Sequence, residues 1–359
     1  MSSRLLRFWY QQNNPLCYLL FPFHLLFLFI VKIRRHLYQW GIFHSHKVKC
    51  PVIIIGNITV GGTGKSPLVI HLAEFLIDAG FKVGIVSRGY GGDSETYPLE
   101  VTDDSLPAVV GDEPVMIKAQ SRARVVVDPK RNRGAEYLVE QCACNLIICD
   151  DVLQHYALER DVEIIVIDCQ RRLGNGLLMP FGPLREPPSR IKDSDAVVIN
   201  SSGSDEETQP PLLASINNIA QFQMVLENNS FVSLDDTKTQ DVNTFVNRCH
   251  DSNKPIHSIA GIGNPQRFHD QLQRLGLNSI NHYFNDHHSY SIDDFNGLDG
   301  IILMTEKDAV KCRHLKFADE FAKENIWYLK VTAKVDPSIG DYCIKLLDQL
   351  MPHQSKREH

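Results

Sequence analysis

The sequence predicts an α/β protein. It has a parallel sheet core behind a phosphate-binding loop, a second, smaller α/β lobe after it, and an N-terminal hydrophobic membrane helix before it. Three observations carry this expectation. From Pro51 onward, short β-branched runs alternate with longer segments of helical period. The first run, PVIII (51–55), leads straight into the glycine-rich stretch GNITVGGTGKSP (56–67). Ahead of both stands PLCYLLFPFHLLFLFIV (15–31), with no charge from Asn14 to Val31.

The amino-terminal run is at the short limit of the roughly 17 to 25 apolar residues that span a bilayer, and Pro22 and His24 weaken it. Trp9, Tyr10 and Trp40 flank it, where amphipathic rings favour the interface. Arg4 and Arg7 precede it, whereas Lys32, Arg34, Arg35, Lys47 and Lys49 follow. The larger basic cluster therefore places the remaining chain on the cytoplasmic side of a membrane. IVKIRRHLYQW follows the run instead of small residues, which disfavours a cleaved signal peptide. The alternative is a helix packed on the protein itself, and spanning is not distinguished from lying in the interface.

Next come PVIII (51–55), VGIVS (83–87), RVVV (124–127), LIICD (146–150), EIIVID (163–168) and DAVVIN (195–200). Near-continuous apolar runs of this kind are buried strands of a parallel sheet covered on both faces. Between the first two, SPLVIHLAEFLIDAG puts Leu68, Leu72, Phe75 and Leu76 on one helical face, with Pro67 in the first turn and Gly80 at the exit. Strand, glycine-rich turn, helix and strand make a βαβ unit. The polar SSGSDEETQPP (201–211) marks a domain edge. IHSIAGIG (256–263), the helical PQRFHDQLQRLG, GIILMT (300–305) and WYLKV (327–331) build the second half. The expected division is a membrane-associated helix over 1–45, a phosphate-loop domain over 46–205 and a second lobe over 212–350.

A chain of 359 residues has room for these parts, and its net charge of −6 gives no electrostatic reason to expect nucleic acid. Nine cysteines without a C-x-x-C pair read as reduced, buried thiols. Nothing points to an obligate protein partner.

The chemistry begins at the loop. Consecutive backbone N–H groups at a helix N-terminus cradle phosphate, and glycines let the chain curl that tightly. Gly61, Gly62 and Gly64 supply the curl around Thr63, Lys65 the charge on the β/γ-phosphates, and Ser66 a hydroxyl for Mg²⁺. Thr59 stands where G-x-x-x-x-G-K-[ST] has its first glycine, which costs little if that corner keeps an ordinary φ. LIICDD closes on Asp150 and Asp151, acids placed to hold a metal behind such a loop. Asp151 read alone is also a plausible N-cap.

GDEPVM brings Asp112 and Glu113, a carboxylate pair that suits both a proton acceptor and a metal ligand, or else a solvated helix start. QRRLGNGLLMPFGPLREPPSR (170–190) sets Arg171, Arg172 and Arg185 past the carboxyl end of a strand, where open α/β sheets bind ligands. Its Leu177, Leu178, Met179 and Phe181 suit something greasy; a structured surface loop is the alternative. FNDHHSY (284–290) offers a histidine beside an aspartate.

These motifs resemble one family, the tetraacyldisaccharide 4'-kinases of lipid A biosynthesis. The matching pieces are GNITVGGTGKSP, SRGYGG (87–92), GDEP (111–114), DDVLQH (150–155), GNGLLMPFGPLREP (174–187), AGIGNPQRF (260–268), FNDHH (284–288) and TEKDAVK (305–311). They occur in family order, from about Arg4 to Lys311, and the family also lacks the first loop glycine. The resemblance implies a membrane-associated, P-loop NTPase-like kinase with two α/β lobes. It would use ATP and Mg²⁺ to phosphorylate the 4'-hydroxyl of an acylated glucosamine disaccharide 1-phosphate. By position, Lys65 and Ser66 match the nucleotide loop, Asp112 the catalytic aspartate and His287 its partner. Glu113 and Asp151 match the metal-side acids, with Asp150 and Gln154 beside them. Arg88, Gln154, Arg171 and Arg172 are the expected substrate contacts. The family pattern D-D-G-F-Q-H is broken here by Val152 and Leu153, and L-P-A-G-P by Met179 and Phe181. Val152 in place of glycine requires φ < 0 or strain.

Two rivals stand against this. A membrane-tethered switch ATPase of the positioning kind often has a lysine where this chain has Val60, and the GTPase version wants N-K-x-D, which TEKD (305–308) imitates with Glu306 for asparagine. A non-enzymatic nucleotide-binding scaffold leaves Asp112, His287 and the arginine loop without a role.

Overall fold

The computed structural model describes Trp9 and residues 17–201, 219–317 and 324–350. The polar edge expected at 201–211 lies, after Ser201, outside the described residues, as does Tyr10.

In chain order the elements are α1 (Cys17–Gln39), β1 (Val52–Gly56), α2 (Lys65–Asp78), β2 (Val83–Ser87), β3 (Leu99–Val101), α3 (Pro107–Val110) and α4 (Asp112–Gln120). Then come β4 (Arg124–Val127), α5 (Arg131–Glu140), β5 (Leu146–Asp150), β6 (Val162–Asp168) and β7 (Ala196–Ser201). The remainder is β8 (Ala220–Ser233), β9 (Thr239–Asp241), α6 (Val242–Ser252), β10 (Ile256–Ala260), α7 (Pro265–Arg274), β11 (Ile280–Tyr283), β12 (Ile301–Thr305), α8 (Glu306–Cys312), β13 (Ile326–Val335) and α9 (Ser338–Leu350).

All the described strands join one sheet in the order β11-β10-β12-β13-β8-β7-β6-β1-β5-β2-β4-β3, with β9 paired to β8. The sheet is mixed rather than purely parallel: β3–β4, β8–β9 and β8–β13 are antiparallel, and the remaining pairs are parallel. Every residue of β1, β5 and β6 is buried because helices cover both faces. Ile53 and Ile55 of β1 pack with Leu68 and Leu72 of α2, and Val52 and Ile54 pack on the other face with Leu138 of α5.

The register of β8 sets the geometry of the site. Ser201, at the carboxyl end of β7, pairs with Val225. Thr305, at the carboxyl end of β12, pairs with Leu329, which in turn pairs with Phe231. Because β8 and β13 are antiparallel, the two sets of parallel strands point their carboxyl ends at each other. About six residues of β8, roughly 20 Å at the usual rise, separate them. The chain also reverses its winding at β1, with β5 and β2 to one side and β6 and β7 to the other. Such a switch point is where open sheets bind ligands.

The predicted hydrophobic segment is α1. Its Phe27, Leu28 and Val31 pack against the core beneath β1, and Leu178 N–H donates to the buried His24 Nδ1 (3.1 Å). Arg35 pairs with Asp193 at 2.7 Å. The opposite side exposes Phe23, Leu26, Phe29 and Ile30, with Phe29 62% exposed. No described helix is long and apolar enough to cross a membrane. Trp9 is not an interfacial ring: it is buried, and its indole N–H donates to Pro180 O (3.0 Å).

Candidate active site

The phosphate loop connects β1 to α2. Gly61 and Gly64 take φ of 105° and 91°, in the left-handed region where a Cβ is strained. A Cβ on Gly61 would lie 2.8 Å from Arg171 Nη1. Asn200, at the end of β7, holds the loop by donating to Thr63 O (2.9 Å). No side chain caps the N-terminus of α2, so its amides are left for an anion. Thr63 Oγ1 is buried without a protein partner. Thr59 keeps an ordinary φ and bridges to Leu184, while Val60 N–H donates to Pro183 O and Arg185 N–H to Ile58 O. The 170–190 segment therefore buttresses the loop.

The adjacent acids at the end of β5 have different surroundings. Asp151 accepts from Arg185 Nη1 on both oxygens (3.0 and 3.1 Å) and lies 3.5 Å from Lys65 Nζ. Burial opposes its charge, but Lys65 and Arg185 hold it below the usual carboxylate range. Asp150 is 2% exposed, and its Oδ1 has no protein partner. Burial first, then the Glu113 carboxylate, pushes it up, although Lys65 opposes. Val152 takes the negative φ, one of its two alternatives, and the left-handed residue of this corner is Asp151 at φ 53°.

Asp112 opens α4 and accepts from Glu113 N–H (2.9 Å). Its Oδ2 lies 3.3 Å from His287 Nδ1, which the turn after β11 delivers at φ 59°. Burial disfavours the Asp112 charge, yet the His287 hydrogen bond and the cations Lys307 and Lys311 hold it low. The same hydrogen bond raises His287. SRGYGG packs on this corner. A Cβ on Gly92 would sit 2.5 Å from Gly111 N, and Tyr90 meets the His287 ring edge-on at 5.0 Å. Glu113 is ion-paired to Lys307, the second residue of α8.

The other expected contacts are more dispersed. Arg171 lies against the phosphate loop. Arg172 and Arg88 are exposed, and Gln154 supports the loop by donating to Asn57 O (3.1 Å). Arg88 shares its region with Arg131, whose buried Nε has no protein partner. Burial first, then the cations Arg131, Arg160, Arg34 and Arg88, pushes nearby His155 down to about 4. Sequence reasoning missed Asn200 and Lys307, and it gave Arg185 no metal-side role. Lys307 had appeared only as part of TEKD.

Among the described residues, no three His, Cys, Asp or Glu side chains form a protein-only metal cage. Mg²⁺ in phosphoryl-transfer sites needs no such cage, because it keeps waters and phosphate oxygens and takes one or two carboxylates. The unpartnered Asp150 oxygen, its electrostatic conflict with Glu113 and the Ser66 hydroxyl at the loop fit that use.

Comparison with known proteins agrees with this chemistry. The family model for tetraacyldisaccharide-1-P 4'-kinase matches residues 16–348. The tetraacyldisaccharide 4'-kinase of Methylobacillus flagellatus is 45% identical over 92% of each chain. That of a Shewanella species is 41% identical over 100% of this chain and 99% of its own. Among solved structures, LpxK from Aquifex aeolicus in complex with ATP superposes with a TM-score of 0.76 at 27% identity, over 92% of this chain and 99% of that one. The chain therefore belongs to the tetraacyldisaccharide-1-phosphate 4'-kinase family.

Proposed function

We infer that the protein transfers the γ-phosphoryl group of ATP to the 4'-hydroxyl of tetraacyldisaccharide 1-phosphate, giving the 1,4'-bisphosphate. One observation carries the chemistry. Asp112 and His287, from opposite halves of the chain, meet at 3.3 Å, and their corner also brings Glu113 and Lys307 together. A switch ATPase has no use for such a pair.

Asp112, ionised at neutral pH, accepts the proton of the attacking hydroxyl, and His287 positions the carboxylate and keeps it charged. Lys65 and the α2 amides meet the phosphates, with Arg171 above Gly61 beside them. Ser66, Asp150 and Glu113 would hold Mg²⁺, with Asp151 fixed next to them by Arg185. When bound, the ion neutralises charge that develops on the transferring group. Arg88 and Arg172, exposed and basic, are assigned to the anionic lipid head. Residues 46–205 and 212–350 are taken as two lobes, joined where β8 pairs with β7 and where Ile339, Cys343 and Leu347 of α9 pack in the core beside α2.

The lipid substrate cannot leave a bilayer cheaply, at about 0.8 kcal/mol per buried CH₂. The exposed apolar face of α1 supports an enzyme that lies in the interface of the inner membrane, with its catalytic part in the cytoplasm. The triple change Phe23→Asp, Leu26→Asp, Phe29→Asp should abolish co-sedimentation with phospholipid vesicles while leaving ATP affinity unchanged. Retained sedimentation would refute that role for α1.

The test of function uses purified protein, γ-labelled ATP, Mg²⁺ and detergent-dispersed tetraacyldisaccharide 1-phosphate. A labelled lipid product that disappears in Lys65→Ala is expected. ATP hydrolysis indifferent to the lipid would overturn the kinase assignment.

A further inference from the structure

Asp112, Glu113 and Asp150 form an acidic centre, and Lys65 and Lys307, the two lysines whose charges act on Asp150, are differently committed. Lys65 is engaged with Asp151 at 3.5 Å. Lys307 is ion-paired to Glu113, and its charge also reaches Asp112 and Asp150. The lysine is held there by its helix. Glu306, one residue earlier, accepts from Gln120 Nε2 (2.6 Å), so the start of α8 grips α4 at both ends, at Glu113 and at Gln120. At the other side of the turn, Thr305 caps α8 through Asp308 N–H (3.2 Å), and Asp308 in turn accepts from Gly261 N–H (3.1 Å). A flexible lysine is thus delivered from a rigid anchor to one carboxylate.

Close carboxylates with no cation between them repel, and a buried one cannot stay ionised. Glu113 can satisfy a lysine or a divalent ion, and an ammonium already in contact must be displaced before the carboxylate can ligate the ion fully.

We propose that Lys307 is a resident cation of the acidic centre, which holds Glu113 while no metal–nucleotide is bound and competes with the divalent ion for that carboxylate. This rests on the kinase assignment for the identity of the ion, but its test needs neither lipid nor turnover. Lys307 is accordingly a positioning residue: it sets how readily the metal enters and keeps the centre assembled beforehand.

The experiment is Mn²⁺ binding to the full chain without nucleotide, followed by the electron paramagnetic resonance of the free ion. Lys307→Met should bind Mn²⁺ about tenfold more tightly than the parent, the scale on which one adjacent opposite charge shifts a carboxylate. Glu113→Gln in the Lys307→Met background should remove that gain. Lys307→Arg should bind as the parent does. An unchanged or weaker affinity in folded Lys307→Met overturns the proposal. A loss-of-packing role would lower thermal stability without raising metal affinity. If Lys307→Met does not fold, Lys307→Gln, which replaces the ammonium by a neutral amide, is measured instead: a gain of about tenfold supports the proposal, and an unchanged or weaker affinity overturns it. Failure of the kinase assignment would appear separately, as an absent lipid product in the parent protein.

Discussion

Replacing both members of the Asp112–His287 pair, singly and together, tests the proposed mechanism most directly. His287→Asn is the suitable substitution, because asparagine tolerates the left-handed φ of 59° and leaves the turn in place. Asp112→Asn keeps the volume and removes the base, and should lower kcat by about 10² to 10⁴. His287 acts through one charge-assisted contact of 3.3 Å, at a site where its side chain is 30% exposed. A hydrogen bond to a charged group contributes about 1.5–3 kcal/mol, and partial exposure puts this one at the lower end. His287→Asn should therefore cost roughly 10- to 30-fold in kcat, since about 1.4 kcal/mol is a factor of ten.

If His287 works only by positioning Asp112, the double variant should be no slower than Asp112→Asn. The assay is single-turnover transfer at saturating ATP, with thermal unfolding as a check on folding. A double variant whose losses multiply would refute the dyad and give His287 an independent role. The pH profile gives a second reading. Activity needs Asp112 ionised and is lost as pH falls through its lowered pKa. Without the imidazole that pKa rises toward the ordinary value, so the acid limb of kcat should move to higher pH in His287→Asn.

Three further outcomes follow from the packing. Gly61→Ala forces a left-handed alanine against Arg171, at about 1–2 kcal/mol of strain, and should weaken ATP binding about tenfold by calorimetry; unchanged affinity would mean that the loop opens without that curl. Arg190 is 2% exposed, lies 2.6 Å from Glu163 and 3.2 Å from Glu186, and its replacement by leucine should cost about 3–5 kcal/mol in urea unfolding, a cost below about 1 kcal/mol being incompatible with a buried, paired charge. Burial raises Glu306 from 4.5 to about 7, so the stability that its neutral form contributes is complete below 4.5 and lost as pH rises through 7; Glu306→Gln should gain on the parent by up to about 3 kcal/mol between pH 5 and 8, and parallel pH profiles would sink that assignment.

Strands β2, β4 and β5 coincide with runs legible in the sequence, because burial on both faces, broken only at Arg124 of β4, confines polar residues to the strand ends. β8 escaped notice for the opposite reason. AQFQMVLENNSFVS is only partly buried and is held by backbone pairing to β7, β9 and β13, which leaves no run or alternation to find. At the site, the glycines, Lys65 and the acid pairs could be recognised as chemistry. The division of labour between Asp150 and Asp151 could not, because it depends on Arg185, 34 residues away, choosing one of them. Lys307 was invisible as a site residue because its partner Glu113 is 194 positions distant. Trp9 misled for a related reason. An aromatic next to an apolar run suits an interface, until a carbonyl such as that of Pro180 takes its N–H.

The adjacency of Asp112 and Glu113 has a structural as well as a chemical basis. Both stand in the first turn of α4, and each takes its partner from the far half of the chain: His287 from the turn beyond β11, and Lys307 from the start of α8. The opposed carboxyl edges of the sheet make this arrangement possible, since loops from both sets of strands converge on one helix end. Separating the halves would break both ion pairs at once and strand three carboxylates together. On the proposed mechanism, a base that His287 orients only when the halves meet would guard against futile hydrolysis, because water entering an open cleft would find no aligned Asp112. On this argument GDEP is the joint of the molecule as well as its catalytic corner, and substitutions at Lys307 and His287 should loosen the same contact from two sides.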